Sequence, residues 1–364
     1  MVWVKESESR RFARDCMTSV GCEEKVAEMV SNLLITADVK GHKSHGLNRV
    51  LIYMKEVQSG FTKANGQPKI LQETVSTAWV DGDSSLGVVV GEFAMNLAIK
   101  KAKATGIGWV SAKRSNHFGV ASHYSEMAMK ERLLGMAFTN SHPLMVPTRA
   151  KEPTLGSNPI ACAAPGSGED SFSLDMATTC KAAGKIELFR RQGKSIPEGW
   201  AVDSDGKSTT DPEEAVRGQP KLMPLGGVED NSGYKGFGLG MMVDIFCGVL
   251  SGSGYGPFMA KWMPLTNISY TDEKNFGQCF MALDPSCFAP GFEDRLQALL
   301  DHIRQMESID PDLPVKVPGD LERESTQRIR SGNGAIDYPE QLITSMREMA
   351  LKSGITPMEP IKSS

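Results

Sequence analysis

Gly106-Ile-Gly-Trp-Val-Ser-Ala-Lys-Arg-Ser-Asn-His-Phe-Gly119 is the stretch on which the reading of the fold turns. Its first half, Gly106 to Ala112, reads as a short strand opened by glycine and carrying β-branched and aromatic residues. Val120 to Leu133 then reads as a helix, and Leu134-Gly-Met-Ala-Phe-Thr-Asn140 as the next strand. Strand, helix and strand in succession point to an α/β fold. His117 falls at the carboxyl end of a strand, just before a helix. Ligands of open α/β sheets gather outside that end. A histidine so placed either carries chemistry or is a cap or satisfied loop residue, and the spacing leaves both open.

On the amino-terminal side, Gly91 to Ala104 reads as a helix with Phe93, Leu97 and Ala98 inward, ending on lysines before the capping Gly106. Ile70 to Val80 has short β-branched segments, and Asp81-Gly-Asp-Ser-Ser-Leu-Gly87 is turn-rich. Residues 6 to 60 read as three helices, Glu6 to Val20, Glu23 to Ala37 and Ser44 to Gln58, punctuated by Gly21, Gly41 and Gly60. A new domain begins near residue 75.

The window Asp38-Val-Lys-Gly-His-Lys-Ser-His-Gly-Leu-Asn-Arg49 gathers histidines, a serine and an arginine. If Ser44 starts the third helix, His45 and Arg49 stand four residues apart and share a face. A guanidinium grips a carboxylate with two parallel hydrogen bonds, and an imidazole one turn away exchanges a proton with the neighbouring atom. That pairing suits a 2-oxo or 2-hydroxy acid. The alternative is a solvated polar face.

Beyond Asn140, a Pro/Gly-rich strand region runs from Pro143 to Asp175, and Ala182 to Gln192 reads as a short helix. Asp203-Ser-Asp-Gly206 begins like a calcium loop but fits a hairpin turn better. Gly233-Tyr-Lys-Gly-Phe-Gly-Leu-Gly240 opens the helix into the apolar segment Met241 to Leu250, its glycines serving close packing or its N–H groups and Lys235 an anion. Helices are expected at 293 to 306 and from Glu340 to Lys352, with a breaker-rich linker from Pro311 to Gly319. No repeat of fixed period is visible. No Gly-x-Gly-x-x-Gly joins a strand to a helix either, so a dinucleotide site cannot be argued from that fingerprint.

The chain has 364 residues, 40% of them apolar, enough for a full core. A net charge of −4 without a Lys/Arg cluster argues against nucleic acid as a partner. The charged start Met-Val-Trp-Val-Lys-Glu-Ser-Glu and the lack of any run of about 18 apolar residues lead us to expect a soluble, cytoplasmic protein with no membrane partner. Seven cysteines without a Cys-x-x-Cys pair fit reduced thiols. The sequon Asn267-Ile-Ser269 is read as coincidence.

Taken together, Gly41-His-Lys-Ser-His-Gly-Leu-Asn-Arg49, Ser115-Asn-His-Phe-Gly119, Thr139-Asn-Ser141, Gly156-Ser-Asn-Pro159, Leu174-Asp-Met-Ala-Thr-Thr179, Ala183-Gly-Lys185, the run from Pro197 to Lys207, Gly233 to Leu239 and Pro318-Gly-Asp320 resemble the malate/L-lactate dehydrogenases of the second type. That family includes sulfolactate and ureidoglycolate dehydrogenases and cyclic-imine reductases. The resemblance spans about residues 10 to 350. It implies an α/β, non-Rossmann, sulfolactate-dehydrogenase-like three-layer fold with a mixed sheet, plus a helical region built from both chain ends. The implied division is a substrate-side region over 1–74, completed by 311–364, and a nicotinamide-cofactor-binding domain over 75–310, with a homodimer as the assembly.

The implied activity is hydride transfer between NAD or NADP and a small 2-oxo or 2-hydroxy acid of the malate or lactate type. Its implied residues are Arg49 as carboxylate anchor, His117 as acid/base with His45 second, and Ser44 backing His45. Tyr53 and Ser157 are implied substrate contacts, and Lys185 stands where the imine reductases carry an aspartate. Implied cofactor contacts are Phe118, Gly119, Val120, Ala121 and Ser122, then Asn140, then Asp175, Met176 and Ala177, then Gly226 and Gly227, and lastly Gly319 and Asp320. Each has a plainer role open to it: Asp175 as a turn cap, the glycines as bends, Tyr53 as core. Three other readings compete. They are a Δ1-piperideine-2-carboxylate reductase, a hydrolytic metalloenzyme using Asp38, His42, His45 and His117, and a nucleotide-binding protein that keeps the fold without turnover. No metal site is expected.

Overall fold

A computed structural model describes residues 1–259 and 275–361. The sequon at Asn267 lies outside them. The chain runs β1 (Val2–Lys5), α1 (Glu6–Ser19), α2 (Glu24–Val39), α3 (Val50–Gln58), β2 (Lys69–Glu73), β3 (Thr77–Asp81), α4 (Gly87–Thr105), β4 (Ile107–Ser115), α5 (Ser122–Lys130) and β5 (Leu134–Thr139). It continues through β6 (Ile160–Pro165), β7 (Ser171–Met176), α6 (Ala183–Arg191), β8 (Ala201–Val202), β9 (Ser208–Thr209), α7 (Pro212–Ala215) and α8 (Gly233–Asp244). The last elements are β10 (Phe276–Leu283), α9 (Phe292–Arg304), α10 (Asp320–Ser331), β11 (Ala335–Tyr338) and α11 (Glu340–Lys352).

Among the described residues, seven strands form one mixed sheet in the order β2-β3-β4-β10-β5-β6-β7. Only the β3/β4 pair of this sheet is parallel among the described residues. Both faces of its centre are covered, which makes three layers. Val110, Ala137 and Phe280 face Ala94, Met95, Ala98 and Tyr124 of α4 and α5. Their strand neighbours Trp109, Phe138 and Cys279 face Val243 and Cys247, which lie in α8 and the π-helical turn Ile245–Val249 that prolongs it. Adjacent residues of one strand thus feed opposite layers, as the twofold period of a strand requires.

A second core joins the two chain ends. Phe12, Met17, Leu33, Leu34 and Val50 of α1 to α3 pack with Ile329, Ile336, Tyr338 and Met346 from α10, β11 and α11. β1 pairs antiparallel with β11, Val2 opposite Tyr338 and Lys5 opposite Ala335. Among the described residues, no helix is long and apolar enough to cross a membrane.

Several expected boundaries move. The strand begun at 107 extends to Ser115, and the helix expected from Val120 begins at Ser122. On α4 the buried face is Ala94, Met95, Ala98, Ile99 and Ala102, with Phe93 and Leu97 only flanking it. Gly106 ends that helix in the left-handed region, φ 88°, as its cap position predicts. The Asp203–Gly206 segment is the turn between β8 and β9. The helix expected from Ser44 does not start there: a 3-10 turn spans Leu47–Arg49 and α3 begins at Val50.

Candidate active site

The loop from β4 to α5 is locked by its neighbours. Asn116, buried, donates through Nδ2 to the carbonyls of Ser84 and Ser85 at 3.2 and 2.8 Å, and its own carbonyl accepts from Gln278 Nε2. Tyr124 Oη donates to the Phe118 carbonyl at 2.5 Å, and the two rings stack at 4.7 Å. A Cβ on Gly87 would stand 2.3 Å from the His117 carbonyl, so α4 and the loop touch backbone to backbone. The consequence is a fixed imidazole. His117 Nδ1 lies 2.7 Å from Tyr53 Oη on α3 and accepts the Gly119 N–H at 3.3 Å.

The second histidine comes from the turn after α2. Asp38, at the end of that helix and 1% exposed, accepts the Leu47 N–H at 2.8 Å and the Tyr338 hydroxyl at 3.1 Å. Asp38 therefore supplies the cap from outside, which is why the 3-10 turn that leads into α3 starts at Leu47 and no helix starts at Ser44. A Cβ on Gly46 would stand 1.9 Å from Asp38 Oδ1, so only glycine passes under this carboxylate. His45 and Arg49 consequently do not share a helical face. They are brought together by the turn: Arg49 Nε donates to the Ser44 carbonyl at 2.8 Å, and Ser44 Oγ is 2.8 Å from His45 Nδ1. The His45 and His117 rings stack with centroids 5.7 Å apart and planes 18° from parallel.

The charges are set by burial. Burial, with the Arg49 and His42 charges behind it, pushes His45 down to about 3, so this ring is neutral across the ordinary pH range. Burial also holds Arg49 below its usual value, and among the described residues no carboxylate lies within ion-pair distance of its guanidinium. Burial raises Tyr53, which keeps its proton. Asp38 is pushed up to about 6 by burial, against the Leu47 N–H, Lys43 and Tyr338. A carboxyl raised in the fold favours folding below its unfolded value and loses that contribution as pH climbs through the folded one. Asp38→Asn is expected to abolish a loss of stability, on the order of 2 kcal/mol, that the unaltered protein suffers between about pH 4 and about pH 6. Chemical denaturation of both proteins across that window measures it, and parallel curves would refute it.

The expected cofactor segments fall largely along edge strand β7. Asp175 accepts the Ser122 N–H at 2.8 Å, capping α5 from the strand, and burial raises its carboxyl. Two residues back, the Ser173 N–H donates to the Pro318 carbonyl at 3.1 Å, and a Cβ on Gly319 would stand 3.2 Å from Ser173 Cβ. Asp320 accepts from Arg304, Arg323 and the Val317 N–H. Beyond Met176 and Ala177, the Thr178 carbonyl accepts the Leu225 N–H, next to Gly226 and Gly227 at φ 97° and 72°. Gly227 packs on Gly199 so closely that a Cβ would sit 3.0 Å from its carbonyl. Beside β7 a cavity of about 650 Å³ is lined by Lys40, Glu126, Ser173, Gly319 and Arg323, among others. Phe118, Val120 and Ala121 are buried, so that loop offers its backbone.

Other expected site residues lie apart. Asn140, 1% exposed, spends its side chain on the Gly254 carbonyl and the Gly277 N–H. Ser157 meets Ser141, and its carbonyl accepts from Thr178. Lys185 is exposed on α6 over the Phe189 ring. Neither Ser157 nor Lys185 bonds to the histidine pair. Asp38, Gly46 and Asn116 were not read as supports of the site, although an aspartate between Ala37 and Val39 on an apolar helix was a signal of a buried acceptor. Among the described residues, no group of three or more His, Cys, Asp or Glu is placed to hold a metal ion.

The family model described as malate/L-lactate dehydrogenase matches residues 4–347. A malate dehydrogenase of Pyrococcus abyssi is 42% identical over 83% of this chain and 82% of its own. A ureidoglycolate dehydrogenase (NAD+) of Escherichia coli O157:H7 is 32% identical over 81% and 80%. The sulfolactate dehydrogenase structure from Methanocaldococcus jannaschii superimposes with a TM-score of 0.88 at 33% identity, covering 100% of both chains.

Proposed function

The chain belongs to the malate/L-lactate dehydrogenase family, an oxidoreductase family, and from that premise we propose that it interconverts a 2-oxo and a 2-hydroxy acid by hydride transfer with NAD or NADP. The observation that carries the reading is Arg49: a half-buried cation, without a carboxylate partner among the described residues, beside two stacked imidazoles. A buried charge is costly until it is paired, and a substrate carboxylate supplies the pair in two parallel bonds. The carbonyl next to that carboxylate then lies toward the histidines.

In this reading His117 gives the proton to the developing alkoxide in reduction and takes it back in oxidation. His45, neutral and held by Ser44, donates a hydrogen bond to the same region but cannot arrive as imidazolium. Ser157 extends the substrate contacts, and Lys185 marks the hydroxy-acid branch without reaching the pair in this chain. The dinucleotide would be held by the backbone of Phe118 to Ala121, by Ser122, by Asp175 to Ala177 and by Asn140, with Gly226, Gly227, Gly319 and Asp320 at the outer contacts. The cavity beside β7 has the volume for its outer half. When bound, the nicotinamide supplies or accepts the hydride. In this reading 1–74 with 311–364 forms the substrate side and 75–310 the cofactor side.

The test is the fall of reduced-nicotinamide absorbance with NADH and with NADPH against a panel of 2-oxo acids and Δ1-piperideine-2-carboxylate. Turnover of an oxo acid is expected. Turnover of the imine alone would move the reading to imine reduction, and tight nucleotide binding with no turnover would end the enzymatic reading. On the active substrate, His117→Gln is expected to lower kcat by about 10²- to 10⁴-fold and His45→Gln by less. The reverse order, in folded proteins, would exchange their roles.

A further inference from the structure

Tyr53 sits one turn beyond Arg49 on α3, 2% exposed, and its hydroxyl is directed at His117, 64 residues away. Tyr53 Oη and the Gly119 N–H both meet Nδ1 of that ring, and they differ in kind. The Gly119 N–H only donates, at 3.3 Å, so it favours a bare Nδ1. The tyrosine hydroxyl both donates and accepts.

We propose that Tyr53 is a positioning residue for His117: its hydroxyl donates to Nδ1 while the imidazole is neutral and turns to accept from Nδ1–H once the ring is protonated, so that Nε2 meets the reacting oxygen in both states. This rests on the proton-transfer role of His117 proposed above and deepens it. The proton balance is simple. In reduction Nε2–H passes its proton to the oxygen while Nδ1–H stays on Tyr53 Oη; Tyr53 keeps its own proton throughout, and the neutral ring left behind carries its hydrogen on Nδ1. Exchange to the Nε2–H form, which Gly119 favours, lets the hydroxyl turn back to donating.

The groups around the pair agree with this division. His45 stacks on the His117 ring and is neutral. Arg49 and Glu56 act on Tyr53 with opposite sign, and burial keeps the phenol protonated. A phenol so held serves as a hydrogen-bond switch and not as an ion. It also differs from a substrate contact, which would show in KM.

Tyr53→Phe keeps the ring and removes that acceptor, so a protonated Nδ1 loses the bond to the phenol while the Gly119 N–H still points at it. The titration midpoint of His117, followed by NMR in the protein without substrate, is expected to move to lower pH by roughly half to one unit. On a turned-over substrate the limb of the pH profile that follows His117 should move with it, with kcat lowered about tenfold and KM nearly unchanged. An unmoved midpoint in a folded variant overturns the proposal, as does a raised KM with kcat intact. If the variant does not fold, ¹⁵N shifts of His117 in the unaltered protein decide: the neutral resting ring is expected as the Nε2–H form, and an Nδ1–H form overturns it. Because the NMR readings need no substrate, a moved midpoint without any turnover would sink the dehydrogenase reading and leave the Tyr53 link standing.

Discussion

Arg49→Met should lower kcat/KM for the 2-oxo acid by between about 30-fold and about 5,000-fold, the range that follows from losing one partner of a buried, hydrogen-bonded charge pair worth about 2–5 kcal/mol. Most of the loss should fall on KM, because the proposed grip on the carboxylate would be equal in ground state and transition state. Stability should move the other way or not at all. Burial already holds the Arg49 cation below its usual value, and its guanidinium gives up only the 2.8 Å bond from Nε to the Ser44 carbonyl. In the proposed reading, removing a half-buried charge that has no carboxylate partner among the described residues relieves a cost carried by the fold. Arg49→Lys should fall between the two, since an ammonium keeps the charge and loses the fork. Equal activity of the methionine variant on every acid in the panel, or a large loss of stability with activity per folded molecule intact, would show that Arg49 is a structural residue.

What could be read from the sequence, and what could not, follows from how far apart the determining residues lie. The position of His117 was legible because the change from strand to helix pattern happens within a few residues of it. The gathering of histidines, serine and arginine between 42 and 49 was legible as a cluster, but its geometry was not. Local spacing suggested a helix from Ser44, whereas Asp38 on the preceding helix caps Leu47 and turns the segment. Strand β10 escaped notice although it lies between β4 and β5 in the sheet. Phe-Gly-Gln-Cys-Phe-Met-Ala-Leu is covered on both faces, so it lacks the alternation that marks a half-exposed strand. Helix α10 escaped for the opposite reason, since only Ile329 of its twelve residues is buried. The β1/β11 pair joins four-residue strands from the two ends of the chain, and neither has a local signal of its partner. Tyr53 could be named as a site residue but not given its role, because that role depends on a contact with a loop from another element.

Gly119→Ala should be among the most damaging single-atom additions to this protein, with a loss of about 2–5 kcal/mol. Two costs add. Gly119 has φ 78°, a left-handed conformation that costs a residue with a Cβ roughly 1–2 kcal/mol. The added Cβ would also stand 2.6 Å from Leu33 Cδ2, and forcing a methyl into packed surroundings costs about 1–3 kcal/mol. Leu33 cannot easily withdraw, being fully buried in the core shared by α1, α2, α3 and the carboxyl-terminal elements. The loop would have to yield instead. It carries His117 two residues earlier and donates the Gly119 N–H to that ring, so the displacement should reach the Tyr53–His117 contact as well as the melting temperature. A double variant separates the two costs. Leu33→Ala alone opens a cavity and destabilises by about 2–5 kcal/mol, but it makes room for the new methyl, so Gly119→Ala should cost less on that background than on the natural one. The difference is the steric part, and what persists is the backbone part. Additive effects, or a Gly119→Ala protein that melts with the parent, would mean that the loop and α2 are not locked together at this point, and the fixed imidazole on which the proposed proton transfer depends would lose its support.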